Sequence, residues 1–339
     1  MGTLHILATA SQPADPSGNR LGSDILVTSL PPRWAGCKRG TRREGVTLTD
    51  MVQVGGGRRL SVEVTGDPDG RPVFLLHGTP GSRLGPRPRG SLLHRLGIRL
   101  ISFDRPGYGR SDRLPGRQVA DVAEDVAAIA DIYQLERFAI AGRSGGGPHA
   151  LACAALLPRR TTRAAVLVSL APPEADGLDW FEGMTKSNII DFTAAGAGHN
   201  PLAERLKAAA EEVRADPASL LAGLEAGLTA DDRRVVADTG IRAMLQRTYA
   251  EALRVSAYGW IDDALALCTP WGFELSDVTV PVLFWHGEQD AFSPVGHTRW
   301  MAERIPGATV VVESDAAHFG ALDVLPDVLR WLAADVPPG

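Results

Sequence analysis

Apolar residues along this chain fall into short dense runs, separated by amphipathic stretches and turn signals. RLSVEVTG (59–66) alternates with period two, the pattern of a strand with one buried face, and DPDG follows it as a turn. VFLLH (73–77), IRLISFD (98–104), FAIAG (138–142), AAVLVSL (164–170), PVLFWHG (281–287) and ATVVVES (308–314) are near-continuous apolar runs of strand length. Such runs suit strands covered on both faces. Helical spacing lies between them: SLLHRLG ending at Gly97, then 119–135, 147–157, a segment near 294–305 and a last one near 322–333. The alternation predicts an α/β fold, a mostly parallel sheet with helices on both sides.

Two segments break the rhythm. Residues 1–50 are rich in Pro, Gly, Ser and Arg and hold no sustained period, which predicts coil or disorder. Translation starting at Met51, where MVQVGGGRRLSVEV takes on the character of strand and turn, is one reading; a native flexible arm is the other. Residues 172–277 carry helical periodicity and no buried strand. They form an insertion, a separate domain or a lid, in a core made of residues 51–171 and 278–339.

The chemistry centres on AIAGRSGGGPHA (139–150), where strand FAIAG meets helix GPHALACAALL through G-R-S-G-G. This is G-x-S-x-G between a strand and a helix, an arrangement that lifts a serine hydroxyl on a tight turn. Ser144 is the candidate nucleophile. Gly142 and Gly146 let strand and helix approach, and the Gly145 N–H faces the site at a helix N-terminus, where donors favour negative charge. A serine needs a base, and the base needs an orienting group. His318 follows strand ATVVVES, and Asp290 follows strand PVLFWHG; a parallel sheet brings such loops to the edge that holds Ser144. The order Ser144, Asp290, His318 is that expected of this constellation. The loop HGTPGSR after VFLLH offers the Thr79 N–H as a second oxyanion donor beside Gly145, with His77 ordering the loop.

Charge and cysteine content narrow the class. A net charge of −5 gives no electrostatic case for a nucleic-acid partner. Cys37, Cys153 and Cys268 lack metal-ligand spacing and are too few for a disulfide framework, which points to a reducing compartment. No membrane-spanning run, signal peptide or myristoylation pattern is present, so a cytoplasmic location is expected. GGGRR (55–59) lacks the Lys-Ser/Thr of a phosphate loop, and no cofactor or metal is expected.

HGTPGSR, FDRPGYGRSD (103–112), GRSGGG, HGEQD and the final AHF together resemble the α/β-hydrolase superfamily in its lidded branch, over roughly residues 59–334. The resemblance implies an eight-stranded, mostly parallel sheet and a helical lid at 172–277. It is similar in general terms to bacterial esterases, lactonases and carbon–carbon bond hydrolases. The serine nucleophile sets the chain apart from the epoxide hydrolases and haloalkane dehalogenases of the same fold, which use Asp. Gly145 stands where proline iminopeptidases typically have Trp and many family esterases have Met. Arg143, before the serine, reads as a salt-bridging surface residue or as a substrate contact.

The expected activity is metal-free hydrolysis of a small or medium carboxylic ester, thioester or lactone through an acyl-enzyme on Ser144. The same triad would serve a carbon–carbon bond hydrolase, or an acyl-transfer or cyclisation enzyme. A receptor-like protein that binds a small molecule without turnover is the reading from another class. Trp180, Phe181, Trp260 and Trp271 are candidate pocket residues, or lid-to-core packing. The acids of the insertion, such as Asp231, Asp232, Asp262 and Asp263, disfavour a polyanionic substrate. The oligomeric state is not legible.

Overall fold

The computed structural model describes residues 48–334. Most of the segment expected to be coil, residues 1–47, and with it Cys37, lies outside the described residues. Its last three residues are strand: β1 (Leu48–Gln53) starts ahead of residue 51 because it pairs antiparallel with β2 (Arg59–Gly66) along its whole length. The chain continues through β3 (Arg71–Leu76), α1 (Gly90–Arg95), β4 (Ile98–Phe103), α2 (Val122–Ile132), β5 (Phe138–Arg143), α3 (Gly146–Leu156) and β6 (Thr161–Leu167). Six helices follow: α4 (Lys186–Gly196), α5 (His199–Ala215), α6 (Ser219–Leu224), α7 (Ala230–Ala237), α8 (Thr239–Ala252) and α9 (Tyr258–Leu267). β7 (Val282–Gly287), α10 (Val295–Ala302), β8 (Thr309–Glu313) and α11 (Ala321–Ala333) complete the fold.

The eight strands form one sheet in the order β1-β2-β4-β3-β5-β6-β7-β8. β1, β2 and β4 pair antiparallel, and every pair from β4 through β3 to β8 is parallel. The continuous apolar runs have a simple origin. Successive side chains point to opposite faces, and both faces are covered. Phe74, Leu76, Ile140, Val166 and Phe284 pack with Val126 of α2 and Leu151 and Cys153 of α3. Val73, Leu75, Ala141, Leu167 and Trp285 pack on the other side with Leu93 of α1 and Leu325 and Leu329 of α11. β8 is the exception: it borders only β7, and its valines are partly or largely exposed.

β6 stops three residues short of the apolar run that marks it. Val168 turns into the left-handed region at φ 47, and the chain leaves the sheet there. Between β6 and β7 the helices build a core of their own, including Leu202, Leu206, Val213, Leu245 and Ile261, together with Tyr108, Phe292 and Phe319 from the sheet layer.

Candidate active site

β5 ends at Arg143 and α3 begins at Gly146, so Ser144 and Gly145 make the turn between them. Ser144 sits at φ 53, in the left-handed region that costs an L residue on the order of 1 kcal/mol. The turn is held from several sides. The Ser144 N–H donates to Leu167 O at 2.8 Å, and its carbonyl accepts from Gly147 N (2.9 Å) and Ser169 Oγ (3.0 Å). The glycines around it answer to close approach. A Cβ on Gly142 would stand 2.8 Å from Gly147 Cα, and one on Gly146 would stand 2.5 Å from Leu76 O.

The loops after β7 and β8 bring Asp290 and His318 together. His318 Nδ1 donates to Asp290 Oδ2 at 2.8 Å. The other carboxylate oxygen, Oδ1, accepts the N–H groups of Phe292 (2.8 Å) and Ser293 (2.9 Å). His286 Nε2 stands 3.3 Å from Oδ2 while donating to Ser293 O. Burial would raise the Asp290 carboxyl, but His318 and His286 outweigh it and hold the group well below the usual carboxylate range. Asp290 is therefore an anion and can only accept. Nδ1 of His318 therefore carries a proton, and in the neutral ring this tautomer leaves the lone pair on Nε2.

A second set of contacts fixes the loop after β3. The buried His77 donates from Nδ1 to Gly78 O (2.8 Å) and accepts the Arg105 N–H on Nε2 (3.2 Å). Burial and the Arg105 charge push its pKa down, so the ring is a neutral brace. Arg105 donates to His77 O (2.5 Å), Gly78 O (3.1 Å) and Asp263 Oδ2 (2.5 Å). Asp263, from α9, also accepts Thr79 Oγ1 and Tyr108 OH, each at 2.8 Å, and pairs with Arg117 at 2.7 Å. Thr79 and Gly145 are thereby pressed together: a Cβ on Gly145 would stand 2.8 Å from Thr79 Cβ.

Ser144, Gly145, Gly78, Thr79 and His318 line one cavity of about 560 Å³. Leu206, Val213, Leu220, Leu224, Tyr249 and Trp260 from the inserted helices supply its far wall. Trp260 is thus the one candidate tryptophan that reaches it. Trp271 is buried in the core beneath, stacked on Phe273. Trp180 is held away, its indole N–H on Ala171 O (3.0 Å) and its ring edge-on to Phe192 and His297. Phe181 is exposed.

Two other expectations are corrected. Arg143 is not a surface residue: it is only 9% exposed and lines the cavity. Of the acids named in the insertion, Asp232, Asp262 and Asp263 are buried and add no surface charge. Asp262 pairs with Arg113 at 2.7 Å and Asp263 with Arg105 and Arg117, so core arginines neutralise them. Asp232 is buried and accepts the Phe319 N–H beside His318 at 2.8 Å. These roles escaped sequence reasoning. FDRPGYGRSD stood out as a motif, but nothing in it tells that Arg105 and Tyr108 meet an aspartate some 150 positions on. Among the described residues no helix is long and apolar enough to cross a membrane.

Comparison with known proteins agrees with this architecture. Residues 71–323 match the family model described as the alpha/beta hydrolase fold. The AB hydrolase superfamily protein YisY of Bacillus subtilis is 28% identical over 252 residues, 74% of this chain and 85% of that protein. The pimeloyl-[acyl-carrier protein] methyl ester esterase of Aromatoleum aromaticum is 28% identical over 254 residues, 73% and 90% of the two chains. Among solved structures, an esterase from Exiguobacterium antarcticum superposes with a TM-score of 0.60 at 23% identity. It covers 85% of this chain and 100% of its own, a likeness of fold. With its eight-stranded sheet, the turn at Ser144 and a family match over most of its length, the chain belongs to the α/β-hydrolase fold family.

Proposed function

We propose that the protein is a serine hydrolase that cleaves a small or medium carboxylic ester, thioester or lactone through an acyl-enzyme on Ser144. One observation carries this reading: His318, held by a 2.8 Å hydrogen bond to Asp290, lines the same cavity as Ser144, Thr79 and Gly145. The relative described as a methyl ester esterase supports the reaction class.

In this reading His318 Nε2 takes the proton of Ser144 Oγ as that oxygen attacks the substrate carbonyl. The carbonyl oxygen becomes an oxyanion and accepts the N–H groups of Thr79 and Gly145, at the N-terminus of α3. The tetrahedral centre collapses, the bond to the leaving oxygen or sulfur breaks, and that atom leaves with the proton from His318. For a lactone the leaving hydroxyl stays on the acyl chain. Water then gives its proton to His318 and attacks the acyl-enzyme; Ser144 regains its proton and a carboxylic acid departs. Asp290 holds the imidazole tautomer and stabilises the imidazolium formed twice in each cycle. The helices between β6 and β7 act as a lid whose lining sets the size of the acyl group.

Intact-mass labelling with a small fluorophosphonate tests the assignment. A single adduct on the wild type and none on Ser144→Ala is the expected result. A folded wild-type protein that takes no adduct and turns over no short-chain ester overturns it.

A further inference from the structure

Arg143 is the residue of this site that the mechanism leaves without work. It stands directly before Ser144, is 9% exposed, and lines the cavity. Its recorded hydrogen bond is a long one, Nη2 to His318 O at 3.4 Å. Nε is buried with no partner, and the guanidinium lies 5.2 Å from the centre of the Phe319 ring. Among the described residues no carboxylate comes within ion-pair distance of it; burial pushes its pKa down, and Asp290 and Asp232 offset this only in part from further off. Both of those acids are engaged elsewhere, Asp290 with His318 and two amides and Asp232 with the Phe319 N–H. An arginine stays charged in a protein, and a buried cation without a paired, hydrogen-bonded anion is costly. Among the described residues Nη1 makes no hydrogen bond and Nη2 only the long one, and the side chain lines a cavity.

The cation also lies close to the nucleophile. The point where a Cβ would stand on Gly78 is 3.4 Å from Ser144 Cβ and 3.9 Å from Arg143 Nη1. Tyr249 borders the same cavity; burial pushes its phenol up, so it stays a neutral hydroxyl able to donate.

We propose that Arg143 binds a carboxylate carried by the substrate, so that the preferred ester or lactone is one whose acyl part bears a free acid group. A planar carboxylate fits the guanidinium fork through two charge-assisted hydrogen bonds. It would supply the anion that the protein itself withholds. This inference rests on the serine-hydrolase reading only for the word substrate; the binding site stands on Arg143 and the cavity.

The test uses the Ser144→Ala protein and calorimetry with two near-isosteric probes, monomethyl glutarate and its neutral counterpart methyl glutaramate. The malonate, succinate and adipate homologues extend the series. At one chain length or more the carboxylate is expected to bind about tenfold tighter or better. Adding Arg143→Gln is expected to bring the ratio near one. Arg205 is the other arginine of the cavity wall and is already paired with Asp191. Arg205→Gln is expected to keep the preference, and this arm holds even if Arg143→Gln does not fold. No preference at any length overturns the proposal, as does a preference that survives Arg143→Gln or vanishes with Arg205→Gln. Wild-type hydrolysis of the same esters is read separately. Binding preference without turnover keeps the carboxylate site and removes the hydrolase reading; turnover without preference does the reverse.

Discussion

Thr79 and Asp263 are 184 positions apart in sequence, yet the threonine hydroxyl donates to the aspartate at 2.8 Å. The contact ties the loop after β3, which holds the proposed oxyanion donor, to a helix of the insertion. Asp263 is fully buried, and Arg105 and Arg117 beside it hold its pKa well below the carboxylate range despite burial.

Asp263→Ala would strand two buried guanidinium groups. Breaking such a pair from one side costs about 3–5 kcal/mol. A fall of that size in the free energy of urea unfolding is expected, with catalytic loss in whatever protein remains folded. A change under about 1 kcal/mol, the scale of an exposed pair, would mean that the network carries no weight.

Asp290→Asn tests the orienting acid. Its two oxygens are both in use, Oδ1 by two amides and Oδ2 by His318. Asparagine has one oxygen. Either its NH₂ meets the amides of Phe292 and Ser293, or it meets Nδ1 and forces the wrong imidazole tautomer. A drop in kcat of roughly 10³–10⁴ is expected in ester turnover, with the fold kept by circular dichroism. Near-normal kcat would move the role to another acid, Asp232 first.

Ser144 is strained at φ 53, so two variants that remove its hydroxyl should differ in stability. Ser144→Ala keeps the strained backbone. Ser144→Gly releases it, and should be more stable than Ser144→Ala by about 0.5 kcal/mol, the strain relief less glycine's larger entropy loss on folding. Equal melting curves would remove strain from the account of the turn.

Glycines of the turn should fail in different ways. Gly142→Ala drives a methyl into the backbone of Gly146 and Gly147, which cannot yield, so a stability loss of about 3 kcal/mol or non-folding is expected. Gly145 is at φ −58, and its Cβ would meet the Thr79 side chain instead. Gly145→Ala should fold and lose turnover by displacing Thr79. Wild-type kcat in Gly145→Ala would count against the Thr79–Gly145 donor pair.

Acid stability follows from His297. Burial pushes its pKa down to about 4, with Nδ1 accepting the Ala171 N–H and Nε2 donating to Trp180 O. The unfolded chain, near 6.5, binds the proton more readily. This stabilisation is complete above pH 6.5 and is lost as pH falls toward about 4, by about 3 kcal/mol in all. His297→Asn should reduce the slope of that part of the stability–pH curve, leaving the share of the buried His77 and His149, while lowering stability at neutral pH. An unchanged acid slope would place the titration elsewhere.

The strand runs, the glycine-flanked serine and the chain order of Ser144, Asp290 and His318 were legible because each is local. Periodicity marks a strand, and a parallel sheet places the loops that follow. Pairings across the fold were not. Asp263 and Arg105 look like ordinary surface charges until α9 is laid against the loop after β4. Arg143 looked exposed because arginine usually is; its burial depends on Gly78, Tyr249 and Phe319, drawn from three distant segments. Trp180 and Trp271 carry no mark that separates packing from lining.

The insertion is fastened unevenly. Asp232 of α7 reaches the His318 turn, Asp262 and Asp263 of α9 reach core arginines, and Asn188 of α4 donates to Phe292 O. Among the described residues α5 and α6 make no hydrogen bond to the sheet layer, yet Leu206, Val213, Leu220 and Leu224 on them face the cavity. On the proposed function, reactivity and selectivity are therefore separable parts: the anchored corners keep the reaction's geometry, while α5 and α6 form an exchangeable panel, through which the chain can be retuned to a new acyl group without disturbing Ser144.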